Sequence, residues 1–396
     1  MFAAFLFVLV ALLVALTRYV TRRAEKVFDL SRRRARGLFV VGLAGIALLF
    51  GSRAFADALG EWAGPLALLG AVPSLAVLMA GGLLLQVDAV RSLGWLFRKV
   101  RKRFRSAPDE APAAEGTGRR EFIERVASGA ALGVGASAGL WGVAFGRHDY
   151  AIEEVPIRIP GLPRTLDGFT LAQLSDVHFG TFVGETQRRD ALDLVRQVSP
   201  DLVVMTGDLI DHDARYVPLL GHLTQDLAEL ARFGVAAIPG NHDHYAGVDD
   251  VLGTLRQAGA QVLLNAGKTI GDAGGAFALL GVDDRWSRRT GGGPDLDRAL
   301  SMVPRDLPRI LLAHQPAYFR EGPAGRVALQ LSGHTHGGQI SLGWNPAYAV
   351  LPYGYVRGRY EHEGSQLYVN RGFGTAGPPS RVESAPEVTK LVLVAG

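Results

Sequence analysis

Hydrophobic and polar positions change their pattern near residue 147. Before it, four runs without a single charge cover residues 1–17, 37–52, 63–87 and 126–146, separated by charged segments. A bilayer core asks for roughly 20 apolar residues, so the runs predict membrane helices. The first two are at the short end, and the third carries Pro65 and Pro73. Beyond 147, short apolar strands are predicted at 169–175, 202–206, 235–238, 261–264, 276–281, 309–313, 327–331 and 366–370. Helical stretches at 185–198, 215–232 and 248–258 alternate with the first four, which predicts an α/β domain around a buried sheet. The chain therefore divides into a transmembrane region (1–87), a basic linker (88–125), a fourth apolar segment (126–146) and a domain at 147–396. Within the linker, 106–118 (SAPDEAPAAEGTG) has the composition of a flexible spacer.

Charge gives these runs an orientation. The 396 residues hold 42 Lys+Arg and 38 Asp+Glu, and at 48% hydrophobic the chain is neither disordered nor fibrous. The loop 18–36 carries eight basic and two acidic residues, 53–62 one and two, and 88–125 ten and six. Basic loops stay in the cytoplasm, so 18–36 and 88–125 are expected inside and 147–396 outside. The last region holds 23 basic and 28 acidic residues and no Arg/Lys-rich aromatic surface, so no nucleic-acid partner is expected. The absence of cysteine excludes disulfide scaffolds, thiolate metal sites and cysteine nucleophiles.

Arg119-Arg120, Phe122 and a 21-residue segment of which 14 are Gly, Ala or Ser resemble a twin-arginine export signal. An ordinary fourth membrane helix behind positive charge is the alternative. Either reading puts 147–396 beyond the cytoplasmic (inner) membrane.

All ten histidines lie between His148 and His362. Five motifs follow strand-like runs directly: Asp176-Val177-His178, Gly207-Asp208-Leu209-Ile210-Asp211, Gly240-Asn241-His242-Asp243, His314, and Gly333-His334-Thr335-His336. Asp and Asn oxygens with imidazole nitrogens suit a borderline divalent metal such as Mn, Fe, Zn or Co. Residues at i and i+2 leaving a strand end can turn toward one ion. A lone His or Asp in such a place is usually a cap or turn residue; joint occurrence in this order changes the weighing.

That order resembles the calcineurin-like metallophosphoesterase superfamily over roughly 167–396. The extended Gly333–Gln339 motif and the Tyr368–Gly374 tail resemble its bacterial membrane-associated or exported phosphodiesterase branch. The resemblance implies a four-layer α/β/β/α sandwich, here preceded by the transmembrane region, and two divalent ions (Mn, Zn or Fe). It implies Asp176, His178 and His336 on the first ion, Asp208 bridging, and Asn241, His314 and His334 on the second. Metal-activated hydroxide would attack phosphorus in line, with His242 as general acid oriented by Asp211 or by Asp243.

His212, His222, His244 and His362 read as solvated or structural. Arg371 is open between a substrate phosphate and a surface ion pair. The expected function is a membrane-tethered phosphodiesterase acting on envelope or lipid phosphate esters. A UDP-2,3-diacylglucosamine pyrophosphatase is disfavoured because its substrate is cytoplasmic. A catalytically inert membrane sensor is disfavoured by the complete donor set.

Overall fold

The computed structural model describes residues 2–103, 116–272 and 274–396. Residues 106–115 of the expected spacer lie outside these. The chain separates into two compact units, Met1–Phe145 and Gly146–Gly396.

The first unit is helical: α1 (Phe2–Val27), α2 (Arg32–Ala54), the short α3 (Ala56–Leu59), α4 (Ala63–Arg103) and α5 (Gly116–Ala144). Three stretches among the described residues, Arg32–Ala54, Ala56–Arg101 and Glu121–His148, are long and apolar enough to cross a membrane. The long helices run past the apolar runs into their basic flanks, because Arg, Lys and Glu are good helix formers and nothing there breaks the helix. Pro73 sits inside α4, and Arg119-Arg120 lie in the first turns of α5.

Small residues set the packing of α5 on α4. A Cβ at Gly135 would overlap the backbone of Ala80, and one at Gly139 would fall 2.6 Å from the Ala76 nitrogen. This Gly-x-x-x-Gly spacing lets two helix backbones approach closely. Beyond the apolar runs, Tyr19 donates to Asp88 (2.7 Å), Arg23 pairs with Asp88 and Glu124, and Arg91 grips Glu124 bidentately (2.7 Å for Nη2–Oε2). Three helices thus meet in one ionic cluster.

The second unit stacks two six-stranded sheets. The first has the order β1 (Ala151–Ile159), β12 (Glu387–Ala395), β2 (Thr170–Leu174), β3 (Leu202–Thr206), β4 (Val235–Ile238) and β5 (Gln261–Val262). The second runs β10 (Gly358–His362), β11 (Ser365–Val369), β9 (Leu329–Ser332), β8 (Arg309–Leu312), β7 (Gly275–Gly281) and β6 (Ala266–Asp272). Strands β2 to β5 are mutually parallel, as are β11, β9, β8 and β7.

Alternation inside the apolar runs explains the layers. Val203 and Met205 face the helices α6 (Glu185–Val198), α7 (Val217–Leu230) and α9 (Val248–Gln257), while Leu202 and Val204 face the other sheet. On the far face of the second sheet, Leu280 and Leu311 pack under α10 (Leu296–Ser301). The result is the α/β/β/α arrangement, with strands apolar on both faces because both are covered.

Some expectations shift. The helix at 215–232 is a 3-10 turn (Ala214–Tyr216) followed by α7, which has Pro218 near its start. The Pro-Gly-Asn turn opens directly into a short helix, α8 (Asn241–Ala246). Strands β1, β6, β10 and β12 were not anticipated. Three of them are sheet edges, where one exposed rim tolerates Pro156, Lys268 or Glu361 and dilutes the apolar signal.

Candidate metal centre

The five motifs leave the ends of β2, β3, β4, β8 and β9, five neighbouring strands of the two sheets, and their side chains converge. Asp176, His178, Asp208, His334 and His336 are all non-glycine residues with positive φ, between 51° and 73°. Each such residue costs of order 1–3 kcal/mol, and such strain collects at functional sites. Gly207 (φ 89°) completes the turn after β3. A Cβ there would meet the Gly240 nitrogen at 2.6 Å and His314 Nδ1 at 2.8 Å, so only glycine lets these loops touch.

Three groups of donors have ligand atoms within 4.8 Å of one another: Asp176–His178–His336, His178–Asp208–His242 and Asp208–His314–His334. His178 Nε2 and His336 Nε2 are 3.0 Å apart, and His336 Nε2 is 3.4 Å from Asp176 Oδ1. Asp208 Oδ2 lies 3.1 Å from His314 Nε2 and 3.8 Å from His178 Nε2, between the outer groups. His314 Nδ1 donates to the Thr206 carbonyl (2.8 Å), which fixes the tautomer and turns the Nε2 lone pair inward. Asn241 Oδ1 and His334 Nδ1 are buried without a hydrogen-bond partner, and His314 Nε2 faces the Asp208 carboxylate. Orphaned buried polar atoms are costly, and an amide oxygen and an imidazole nitrogen are good metal donors; the donor set fits divalent ions.

Electrostatics agrees. Burial works to raise Asp208, but the imidazoles of His314, His178 and His242 outweigh it and hold its carboxyl well below the usual range. Burial, with the charge of His314, pushes His334 down to about 4. Burial, His178 and Arg381 push His336 down as well. Both imidazoles are therefore neutral at pH 7, the form a metal ligand requires.

Residues 169–338 match the family model described as calcineurin-like phosphoesterase. The uncharacterized metallophosphoesterase YkuE of Bacillus subtilis is 34% identical over 287 residues, covering 69% of this chain and 97% of that protein. The chain belongs to the calcineurin-like phosphoesterase family. A zebrafish (Danio rerio) protein, "Transmembrane protein with metallophosphoesterase domain", is 33% identical over 291 residues, 69% of this chain and 65% of that one. Among solved structures, the 5'-nucleotidase precursor of Thermus thermophilus aligns at 16% identity and a TM-score of 0.37, over 57% of this chain and 54% of that one.

In this phosphoesterase, His242 Nδ1 faces the Asp211 carbonyl oxygen and lies 3.4 Å from its carboxylate. Asp243 is otherwise engaged: its carboxylate accepts from the backbone nitrogens of Leu209 (2.9 Å), Ile210 (3.0 Å) and Gly240 (2.8 Å), lacing two motif loops together. The partner of His242 is therefore Asp211. Burial opposes a charged His242, yet Asp211 and Asp208 push its pKa up to about 9.

Arg371 is held between Glu153 and Glu387 (2.8 Å to the latter), which is the ion-pair reading. His212 pairs with Asp211 (2.9 Å), His222 is exposed, and His362 meets Arg320 and Glu363. His244 Nε2 donates to Asp283 Oδ1 (2.9 Å).

One residue behind the site escaped sequence reasoning. Arg381 is wholly buried; it donates to the carbonyls of Arg371 (2.7 Å), Gly372 (2.9 Å) and Gly374 (3.0 Å), and its Nη2 lies 3.2 Å from His336 Nδ1. Burial lowers its pKa to about 10. A single arginine in a loop carries no periodic or spacing signal. Ser175, whose hydroxyl donates to Asp176 Oδ2 (2.6 Å), was likewise hidden inside a strand-like run.

Proposed function

We propose that the chain is a membrane-tethered phosphodiesterase using two divalent ions (Mn, Zn or Fe) on phosphate esters of envelope or lipid type. The observation that carries this is Asp208 standing between two donor groups, one of which includes His314, with Asn241 Oδ1 and His334 Nδ1 buried beside it without a partner. Asp176, His178 and His336 would hold one ion, and Asn241, His314 and His334 the other, with Asp208 shared. Bound there, such ions neutralise phosphate charge and make water a nucleophile near neutral pH.

The chain's own residues do the rest. Asp211 fixes the His242 ring through Nδ1, which leaves Nε2 as the nitrogen that can hand a proton to a departing alkoxide. A raised pKa keeps that proton in place at neutral pH. The buried carboxylates of Asp176 and Asp208 exclude a second anion unless cations are present, which restricts phosphate binding to the metal-loaded form.

Tethering is supported by three stretches long enough to span a bilayer and by the close α4–α5 packing, which favours retention of 126–146 as a helix over cleavage as an export signal. The basic loops favour an inner-membrane, multi-pass arrangement with the catalytic unit outside.

The test is hydrolysis by the purified full chain, loaded with Mn, Zn or Fe, of a phosphodiester, monoester and phospholipid panel. His242→Ala should keep both metals and lose much more activity on an alkyl phosphodiester than on a p-nitrophenyl one, whose leaving group needs no proton. Equal losses on the two substrates would sink the acid role.

A further inference from the structure

We infer that residues 340–356 of the catalytic unit form a membrane-contact loop that seats on the headgroup region of a bilayer. This stretch, ISLGWNPAYAVLPYGYV, holds 17 residues and no charge. Six large hydrophobic side chains are exposed among the described residues of the catalytic unit, namely Tyr245, Met302, Trp344, Tyr348, Val350 and Tyr353. Four of the six fall within ten residues of this loop, with exposures of 61% (Trp344), 46% (Tyr348), 76% (Val350) and 58% (Tyr353). Scattered exposed hydrophobics are ordinary, but a concentrated group marks an interaction surface.

The loop is well held at its base. Asn345 Nδ2 donates to the Gly337 carbonyl (2.8 Å), Ser341 N to Val382 O (3.1 Å) and Gly343 N to Glu383 (3.0 Å). Val356 is buried, and Tyr355 packs with Phe319, Leu367 and Val369. The same segment therefore buries one end and presents the other, so its exposed side chains are not those of an unfolded strand of chain.

Chemistry chooses the partner. Three of the four exposed residues are Trp or Tyr, which favour the bilayer–water boundary because an apolar ring carries one polar tip. The Arg320 guanidinium stands 5.2 Å from the Tyr353 ring centroid, and Arg357 and Arg359 follow the loop, the first donating to the Glu383 backbone carbonyl and the second paired with the Glu361 carboxylate. Exposed guanidiniums beside amphipathic rings suit anionic headgroups. The chain also carries three stretches long and apolar enough to cross a bilayer, which would keep a lipid surface at hand.

Because Asn345 bears on the turn that carries His336, a seated loop would bring lipid headgroups to the metal centre. This second step rests on the phosphodiesterase reading and names its substrate class as a phosphate ester embedded in a bilayer.

The chain has no cysteine, so a single introduced thiol can be labelled cleanly. Tyr348→Cys and, as reference, Gln225→Cys on an exposed face of α7, both in the full chain, would carry a nitrobenzoxadiazole label in phosphatidylcholine/phosphatidylglycerol liposomes. Spin-labelled lipid should quench the label at 348 at least about threefold more than that at 225. Equal quenching at the two sites overturns the inference, as does crosslinking of 348 to a protein partner with no lipid quenching.

For the substrate step, the double change Trp344→Ser, Tyr348→Ser should cut turnover of a liposomal phosphodiester about tenfold while leaving a soluble diester within about twofold. A parallel loss on the soluble diester overturns that step. Wild-type protein inactive on every phosphoester would overturn the functional reading alone, since the quenching does not depend on it.

Discussion

In the helical unit, the fully buried polar side chains among the described residues are four hydroxyls, those of Thr17, Ser52, Ser74 and Ser128. Thr17, Ser52 and Ser74 return their hydrogen bond to the carbonyl four residues back in their own helix. The catalytic unit instead buries Asp176, His178, Asp208, Asp211, Asp243, His314 and His336 within the five strand-end motifs, and Asp283, Asp284, Arg381 and Glu387 beside them. One region settles polar groups locally and keeps its charges beyond its apolar runs; the other gathers charge in its interior. Buried charge is costly and rarely adds stability, so its concentration at the strand ends is the mark of a site kept for chemistry.

The sharpest way to break this comparison is Asp208→Asn. If the buried charge serves function, turnover of a soluble phosphodiester should fall by about 10²–10³-fold, and elemental analysis should find fewer ions per chain. Wild-type turnover with full metal content would reduce Asp208 to a structural residue.

Next in size is Arg381→Met. It would leave the carbonyls of Arg371 and Gly374 and the His336 ring without the Arg381 donor, while the Gly372 carbonyl keeps the Glu387 N–H. The expected loss is about 3 kcal/mol or more, at roughly 1–3 kcal/mol per orphaned group, read from urea unfolding by near-UV circular dichroism. An unchanged midpoint would mean that water replaces the guanidinium.

On the other side of the comparison, Gly135→Leu should force α4 and α5 apart. Overpacking of this kind costs about 1–3 kcal/mol, seen as a lower unfolding midpoint of the helices in detergent. Turnover of a soluble diester should stay within about twofold, and a matching fall in both would show that the units are not separable in function.

These differences bear on what could be read in advance. The central strands β3 and β4 and the helix α6 were legible to the residue, because burial on both faces makes a strand uniformly apolar and α6 has a clear stop at Ser199-Pro200. Edge strands such as β1, with Glu153, Glu154 and Pro156, send a mixed signal. The seven donors and His242 stood out because each motif sits where a strand ends. Local spacing could not choose between Asp211 and Asp243, since that depends on which loop turns back to cap the other. Nor could it find Arg381, whose importance lies in what surrounds it.

The smallest expected effect is a pH slope, and its sign separates His242 from its neighbours. In metal-free protein, the folded-state pKa of His242 is raised to about 9, against about 6.5 in an unfolded chain. The charged imidazolium therefore contributes stability that is fully present below about pH 6.5 and is lost as pH rises through about 9. The loss between about pH 6.5 and about 8 is about 1.5 kcal/mol, because one bound proton is worth about 1.4 kcal/mol for each pH step between the two pKa values. Asp211 acts in the opposite sense: burial disfavours its charge, but the neighbouring imidazoles of His178, His212 and His242 hold its pKa well below the usual range, so its contribution is lost on acidification. Urea unfolding of chelator-treated full chain in detergent, repeated across this range with His242→Gln, checks the assignment. The variant should flatten the alkaline slope and leave the acid limb largely in place. An unchanged alkaline slope would move the proton to His314, whose pKa is also raised well above the ordinary value by Asp208 against the effect of burial, and would take from His242 the proton that its role as an acid requires.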